Sequence, residues 1–176
     1  MTQVDSGPTE TATRKPEDTP QKITTFLTFK DQAEEAVKLY VSTFKNSRIV
    51  SLMRSGEDGP IAKGKVLNAT FELDGARFMA MDGGPSFSFA QGTSLFVNCE
   101  TQEEIDELWE KLSEGGEEQP CGWLTDRFGV SWQIIPSVLG QMMSDPESGN
   151  SKKAMEAMFK MSKLDIETLK QAYEQE

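Results

Sequence analysis

The sequence contains no histidine and only two cysteines, Cys99 and Cys121. The lack of histidine excludes a Ser-His-Asp triad, a Cys-His catalytic pair and every imidazole metal ligand. A metal ion would have to be held by carboxylates, thiolates or neutral oxygens. A general base would have to be a carboxylate, lysine, tyrosine or cysteine. The two cysteines match neither a CxxC motif nor a zinc-ligand spacing, so we expect free thiols.

Positive charge and long apolar runs are also scarce. The chain has 18 Lys and Arg residues against 29 Asp and Glu, a formal net charge of -11. It therefore lacks the clustered cations with which proteins bind nucleic acids and anionic membranes. No apolar run approaches the length of a membrane span, and the N-terminus shows no apolar signal segment. We expect a cytoplasmic protein that binds neither nucleic acid nor membrane.

Composition divides the 176 residues into three segments. Residues 1–21 are rich in Thr, Pro, Glu and Asp, which is typical of a disordered tail. Residues 22–136 carry strand and helix patterns and are expected to form the folded domain. Residues 137–176 form a helical appendix, in which Asp165 is placed to cap the last helix. Its many methionines are more typical of core packing or a subunit contact than of a cofactor site.

The first half of the domain follows the order β-α-β-β-β. Asp31 is placed to cap the helix, with Glu34 three residues further on. Asp74 and Gly75 mark a tight hairpin turn. The predicted helix spans 31–44, and the predicted strands span 22–29, 47–54, 65–74 and 76–82.

The second half repeats this order. A strand at 93–100 leads to a helix that Thr101 caps and that stops at Gly115-Gly116. An arm at 117–126 has no assigned pairing, and the final strand spans 129–136. We therefore predict an α+β fold of paired βαβββ modules. Their sheets would pack edge to edge into a curved mixed sheet with the helices outside and a concave face within, followed by the C-terminal helices.

The final strand has two different faces. Side chains alternate along a strand, so Val130, Trp132 and Ile134 share one face, which suits a core covered by a helix. The opposite face carries Ser131 and Gln133, together with Ile135, and would line the concave side.

Five stretches carry a resemblance to a known family: "FLTFKDQAEEAVKLYVSTF", "FMAMDGG", "SLFVNCETQEEIDELWEKLSEGG", "CGWLTDRFGVSWQIIP" and "AMFKMSKLDIETLKQAY". With the repeated module order, they resemble the PhnB-like branch of the vicinal oxygen chelate (glyoxalase) superfamily. Proteins of this branch often carry the label 3-demethylubiquinone-9 3-methyltransferase. The resemblance covers about residues 22–173. It implies a homodimer in which the sheets of two chains meet or exchange halves.

The resemblance also implies where a metal would sit. In metal-using members of the superfamily, the last strand follows a turn that Asp126 and Gly129 match, and Gln133 falls at the metal-binding glutamate. The usual histidine positions on the first and fifth strands correspond to about Thr24 and Ser94. Neutral oxygens offer no charge to offset the dehydration of a divalent cation. We therefore expect neither a metal nor another cofactor.

The alternation of side chains then predicts a ligand cleft with a partly aromatic, mostly uncharged lining. Several structural interpretations remain open beside it. Phe26 and Phe96 are more typical of a core than of a ligand platform, and Cys121 with Trp123 is more typical of packing. Gln133 could bond only to backbone groups, and Asp82, which precedes two glycines, fits a turn better than a catalytic role. No catalytic residue can be assigned. The predicted lining is Thr24, Phe26, Thr28, Asp82, Ser94, Phe96, Asn98, Trp123, Ser131 and Gln133.

Three functions compete at this point. The first is a protein that binds a small, partly apolar molecule in the cleft without a metal. The second is a metal-dependent lyase, isomerase or dioxygenase with a diverged site, for which Asp82 and Glu72 are the only carboxylates to nominate. The third is an assembly role in which residues 137–176 bind a partner protein. Methyl transfer is not expected, because no glycine-rich turn opens a helix after a strand.

Overall fold

The computed structural model describes residues 21–90, 92–144 and 148–174. Except for Gln21, the predicted N-terminal tail lies outside these residues. No helix within the described ranges is long and apolar enough to cross a membrane.

The first βαβββ module forms a four-stranded sheet, called sheet 1, in the order β1-β4-β3-β2. Strands β1 and β4 are parallel, and the other pairs are antiparallel. The predicted hairpin is confirmed, since Asp74 and Gly75 join β3 to β4 with φ values of 46° and 78°, as its turn type requires. The elements are β1 (Thr25–Phe29), α1 (Ala33–Thr43), β2 (Arg48–Arg54), β3 (Val66–Leu73) and β4 (Ala76–Asp82).

The second module repeats this topology in sheet 2, ordered β5-β8-β7-β6. The arm at 117–126, whose pairing the sequence left open, supplies β6 and β7. Thr101 caps α2 as predicted, its hydroxyl accepting a hydrogen bond from the Glu104 amide at 3.2 Å. The elements are β5 (Leu95–Cys99), α2 (Gln102–Ser113), β6 (Glu117–Glu118), β7 (Trp123–Thr125) and β8 (Ser131–Pro136). The predicted α+β fold of two βαβββ modules is confirmed.

The predicted cap of α1 is wrong. The residue at the cap position is Gln32, which makes no capping hydrogen bond with its side chain. The amide of Ala33 instead donates to the carboxylate of Asp82, 49 residues away, at 2.8 Å. A capping partner from a distant strand leaves no local sequence signal, so the local pattern favours Asp31 instead.

One hydrophobic core includes residues of both modules. Helix α1 covers sheet 1 and also reaches sheet 2, because Tyr40 and Phe44 pack on Trp132 with ring centroids 5.2 and 5.4 Å apart. Val130 and Ile134 are buried on the same side, as predicted. The modules therefore meet through the faces that carry the helices, which we call the inner faces.

The opposite, outer faces of the sheets are open to solvent in the single chain. Phe26 on β1 is 44% exposed and Phe96 on β5 is 55% exposed. The described strands form two separate four-stranded ladders, with β1 and β5 each at an edge. The residues expected to share one hollow of a single chain thus lie on two different sheets.

Three helices follow β8: α3 (Ser137–Met142), α4 (Gly149–Met158) and α5 (Ile166–Glu174). Asp165 caps α5 as predicted, accepting from the Thr168 amide at 2.7 Å. The helices enclose a second core with Ile135. Ile135 was predicted to line the cleft, and that prediction is wrong, because the appendix covers this end of the strand.

Candidate ligand-binding site

Gln133 lies at the centre of the outer face of sheet 2. The strand register places it opposite Phe96 on β5 and opposite Trp123 on β7. Its side-chain amide donates to the Ser94 hydroxyl at 2.8 Å. Gln133 therefore has a side-chain partner. The alternative interpretation, in which Gln133 bonds only to backbone groups, does not include this bond. The fold brings four predicted residues together here, two neutral polar groups and two aromatic rings.

The remaining predicted residues of this sheet surround that group. Asn98 is exposed near the carboxyl end of β5. Ser131 is paired with Thr125 and is buried, with 6% of its surface exposed. We call the outer-face set the sheet 2 patch; it consists of Ser94, Phe96, Asn98, Trp123, Ser131 and Gln133.

The predicted residues of the first strand lie apart from this group, on sheet 1. Phe26 pairs with Met79 and Thr28 with Met81 in the ladder between β1 and β4. Sequence reasoning missed both methionines, although alternation along β4, with Ala80 and Asp82 buried, would have placed them on the open face. Thr24 lies just before β1 and is not paired in the ladder. We call the set on the open face the sheet 1 patch; it consists of Phe26, Thr28, Met79 and Met81.

Asp82 belongs to neither patch. It is 4% exposed, and its two oxygens accept hydrogen bonds from the amides of Ala33 and Val66, both at 2.8 Å. It therefore ties the start of α1 to the start of β3. With both oxygens engaged by backbone amides, this carboxylate is not free to act on a ligand.

Glu72, the other nominated carboxylate, is engaged in ion pairs. Arg48 approaches it at 2.7 Å and Arg77 at 3.6 Å. The hydrogen bond from Arg48 holds the pKa of Glu72 below its ordinary value. An ionised carboxylate stabilised in this way is a weak general base.

Asp126 is a structural residue whose full role the sequence did not indicate. Its carboxylate is 3% exposed and accepts four hydrogen bonds. Tyr40 donates at 2.7 Å and the Trp132 indole at 2.9 Å, while the Phe128 and Val130 amides donate at 2.9 and 3.0 Å. Burial raises the pKa of Tyr40 above its usual range, and the charge of Asp126 raises it further. The turn match located Asp126, but only the tertiary fold brings Tyr40 to it.

Neither cysteine forms a disulfide. Burial raises the pKa of the Cys99 thiol to about 12, with further contributions from Glu104 and Glu100. Cys99 is therefore protonated at neutral pH and unsuited to nucleophilic attack. Cys121 is half-buried in the turn before Trp123, where its amide donates to the carbonyl of Met161 at 2.8 Å.

The profile of the family described as 3-demethylubiquinone-9 3-methyltransferase matches residues 21–135. The chain belongs to this family. The predicted resemblance to the family that carries this label is thereby confirmed. The family match ends before the three C-terminal helices. A search of curated proteins found no match.

Solved structures support the same assignment. A PhnB protein from Bacillus cereus, itself described as a 3-demethylubiquinone-9 3-methyltransferase, is 44% identical; the match covers 66% of this chain and 100% of that one, with a TM-score of 0.64. A protein from Pseudomonas aeruginosa is 26% identical over 66% of this chain and 97% of its own, with a TM-score of 0.56. The fosfomycin resistance protein FosX from Listeria monocytogenes, solved with Mn(II) and a dihydroxypropylphosphonic acid, is 16% identical over 72% and 99%, with a TM-score of 0.52. The FosX likeness shows the fold alone.

The donor set of the sheet 2 patch does not fit the divalent metal that the sequence resemblance implies for metal-using relatives. Gln133 and Ser94 are neutral and bonded to each other. Across residues 21–90, 92–144 and 148–174, no group of three His, Cys, Asp or Glu side chains is placed to hold a metal ion. Divalent cations in proteins are bound mainly by charged carboxylates, thiolates or imidazoles. No chemical step through a metal is therefore derived for this chain.

Proposed function

We propose that this protein binds a small, partly apolar organic molecule at the sheet 2 patch without using a metal. The supporting observation is the hydrogen bond between Gln133 and Ser94, with Phe96 and Trp123 on the neighbouring strands. Ligand pockets commonly combine apolar and aromatic walls with a few oriented polar groups. The patch has this composition and carries no charged side chain.

The hydrogen bond also indicates which polar groups the ligand offers. The side-chain amide nitrogen of Gln133 donates to Ser94, which leaves the carbonyl oxygen of Gln133 as an acceptor. The Ser94 hydroxyl accepts this bond and keeps its own proton to donate. The pair thus presents one acceptor and one donor to a neutral ligand that carries a hydroxyl or carbonyl group.

A second copy of the chain is the proposed cover of the cleft. The sheet 1 patch of one chain would face the sheet 2 patch of its partner, so that the homodimer completes two clefts. In support, Phe26 and Phe96 are both about half exposed in the single chain, and β1 and β5 are edge strands. Exposed apolar patches of this kind mark interaction surfaces.

Methyl transfer is not part of the proposal, despite the description that the family carries. Methyl donors that contain a nucleotide bind where a glycine-rich turn leads from a strand into a helix. Here, residues 30–32 lead into α1 and residues 100–101 into α2, and α3 follows β8 directly; none of these junctions contains glycine. Gly83 and Gly84 follow β4 but lead into a loop.

Native mass spectrometry of the freshly purified full chain, combined with elemental analysis, tests the proposal. We expect a dimer that retains an organic adduct with no stoichiometric metal. The adduct should be lost in Gln133→Ala and kept in Gln171→Ala, a matched change on the exposed surface of α5. One tightly bound equivalent of Mn, Fe, Ni or Zn per chain would contradict the proposal. So would an adduct retained equally by both variants.

A further inference from the structure

A cavity of about 430 Å³ lies at the carboxyl ends of the parallel strands β1 and β4. Three segments line it: the turn after β1, the loop between β2 and β3, and the turn after β4. The cavity shares no residue with the sheet 1 patch or the sheet 2 patch. Its volume is within the usual range for sites that bind small molecules.

Backbone hydrogen bonds hold the walls of this cavity in place. The hydroxyl of Ser55, a residue that is 4% exposed, donates to the Ile61 carbonyl at 2.7 Å. The Gly64 amide closes the same loop by donating to the Ser55 carbonyl at 2.9 Å. On the other side, the Gly84 amide donates to the Lys30 carbonyl at 2.9 Å. A wall ordered before binding lowers the entropic cost of taking up a ligand.

Two lysines supply the charge of the cavity. Lys65 is half-buried, and its ammonium donates to the backbone carbonyl of Asp31 at 3.0 Å, which fixes it beside the cavity. An ammonium has three N–H donors, so further donors remain for a ligand. Lys30 is exposed and makes no ion pair with any other residue in the described part of the chain.

Two acidic groups, Asp31 and Asp82, also border the cavity. Asp82 borders the cavity, but both its oxygens are occupied by the amides of Ala33 and Val66. Asp31 and Lys30 are both exposed, so water and salt screen both charges, and the half-buried Lys65 is the less screened cation. The lining also includes three apolar side chains, those of Ile61, Ala62 and Pro85.

We propose that this cavity binds a small organic anion with a short aliphatic body. Lys30 and Lys65 hold the charged group, and the aliphatic part lies against Ile61, Ala62 and Pro85. The site is independent of the sheet patches and of the proposed function.

Titration of the ¹⁵N-labelled full chain with sodium hexanoate, followed by NMR, tests this site. We expect saturable shifts of the Gly83 and Gly84 amide signals. Sodium acetate should shift the same signals more weakly, because it lacks the aliphatic body, and hexylamine should leave them unchanged. Equal shifts with hexylamine would overturn the proposal. Shifts confined to the Phe96 and Gln133 signals would also overturn it, while leaving the proposed function standing.

Charge-removing variants complete the experiment. Lys30→Gln and Lys65→Gln should each weaken hexanoate binding by about fivefold, since an exposed charge pair contributes up to about 1 kcal/mol. Lys30→Gln alters only an exposed side chain, so it tests the site even if Lys65→Gln perturbs the fold. Lys63→Gln is the matched control in the same loop and should leave the affinity unchanged. Unchanged affinity in both Lys30→Gln and Lys65→Gln would refute the assignment.

Discussion

The inner and outer faces of the same strands differ in how completely their polar groups are hydrogen-bonded. On β8, Trp132 points to the inner face and donates to the buried carboxylate of Asp126, whereas its neighbour Gln133 points outward and bonds the neutral Ser94. The inner face thus tolerates a charge because four donors satisfy it. The outer face keeps spare donor and acceptor capacity beside half-exposed aromatic rings. A network in which every hydrogen-bonding group has a partner is typical of a structural role. A surface with unused donors and acceptors is typical of a binding site.

The largest effect should come from removing the charge on the inner face. Asp126→Ala would leave the Tyr40 hydroxyl, the Trp132 indole and two backbone amides without their acceptor. We expect a loss of about 3 kcal/mol or more in the free energy of unfolding, measured by urea denaturation. Asp82→Ala frees only two amides and should cost about 2 kcal/mol. The exposed control Asp58→Ala should have almost no effect, and an Asp126 variant as stable as this control would contradict the comparison.

The outer faces should matter for association rather than for folding. We expect Phe26→Ser and Phe96→Ser each to raise the dissociation constant of the proposed homodimer by about tenfold, a size usual for a central aromatic contact. Sedimentation equilibrium measures this change. Phe159 is 62% exposed but lies on the appendix outside both patches, so Phe159→Ser is the matched control. Equal weakening in all three variants would place the dimer contact elsewhere.

A smaller effect concerns how the stability contributed by the hydrogen bonds to Asp126 depends on pH. Because the pKa of Tyr40 is raised in the folded chain, its contribution to stability is complete below the unfolded value of about 10. It is lost as pH rises above that value, since only the unfolded chain then releases the proton readily. Tyr40→Phe should cost about 1 kcal/mol at neutral pH and flatten the loss of stability above pH 10. Urea denaturation at several pH values checks this, and a slope identical to that of the wild-type chain would contradict it.

The appendix variant Tyr173→Phe serves as the control for this measurement. Tyr173 lies in α5, against the second core. Because Tyr173 is not a partner of Asp126, its replacement should not reproduce the effect of Tyr40→Phe.

The smallest effect is a difference in the reaction rates of the two thiols, with no change in the free energy of unfolding. With a pKa of about 12, Cys99 has a thiolate fraction of about 10⁻⁴ at pH 8, and it is fully buried. We expect iodoacetamide to label the half-buried Cys121 at least about tenfold faster, as measured by peptide mass spectrometry. Faster labelling of Cys99 would show that the inner face opens more readily than its packing implies.

The sequence patterns whose predictions the structure confirms are local ones. Alternation on β8 separated Trp132 from Gln133, and the Asp74-Gly75 pair located the hairpin. The prediction that Thr101 caps α2 is also confirmed, because the hydroxyl and the amide it binds are three residues apart. Failures arose where a distant element supplied the partner. The carboxylate that binds the first amide of α1 is Asp82 and not Asp31, and nothing in the local sequence indicates that Asp82 reaches α1. Nothing local shows that the appendix covers Ile135.

The sequence by itself determined the repeated βαβββ order, the family, and the neutral character of Ser94 and Gln133. Each depends on side-chain identity and on spacing over a few residues, which the chain carries in any conformation. Only the tertiary structure decided that the modules meet through their inner faces, and that Asp126 joins Tyr40 to Trp132. It also placed the predicted lining on two separate sheet faces, apart from Asp82, which is buried between the starts of α1 and β3. These features depend on which surfaces exclude water together, and that is settled by packing between segments far apart in the chain.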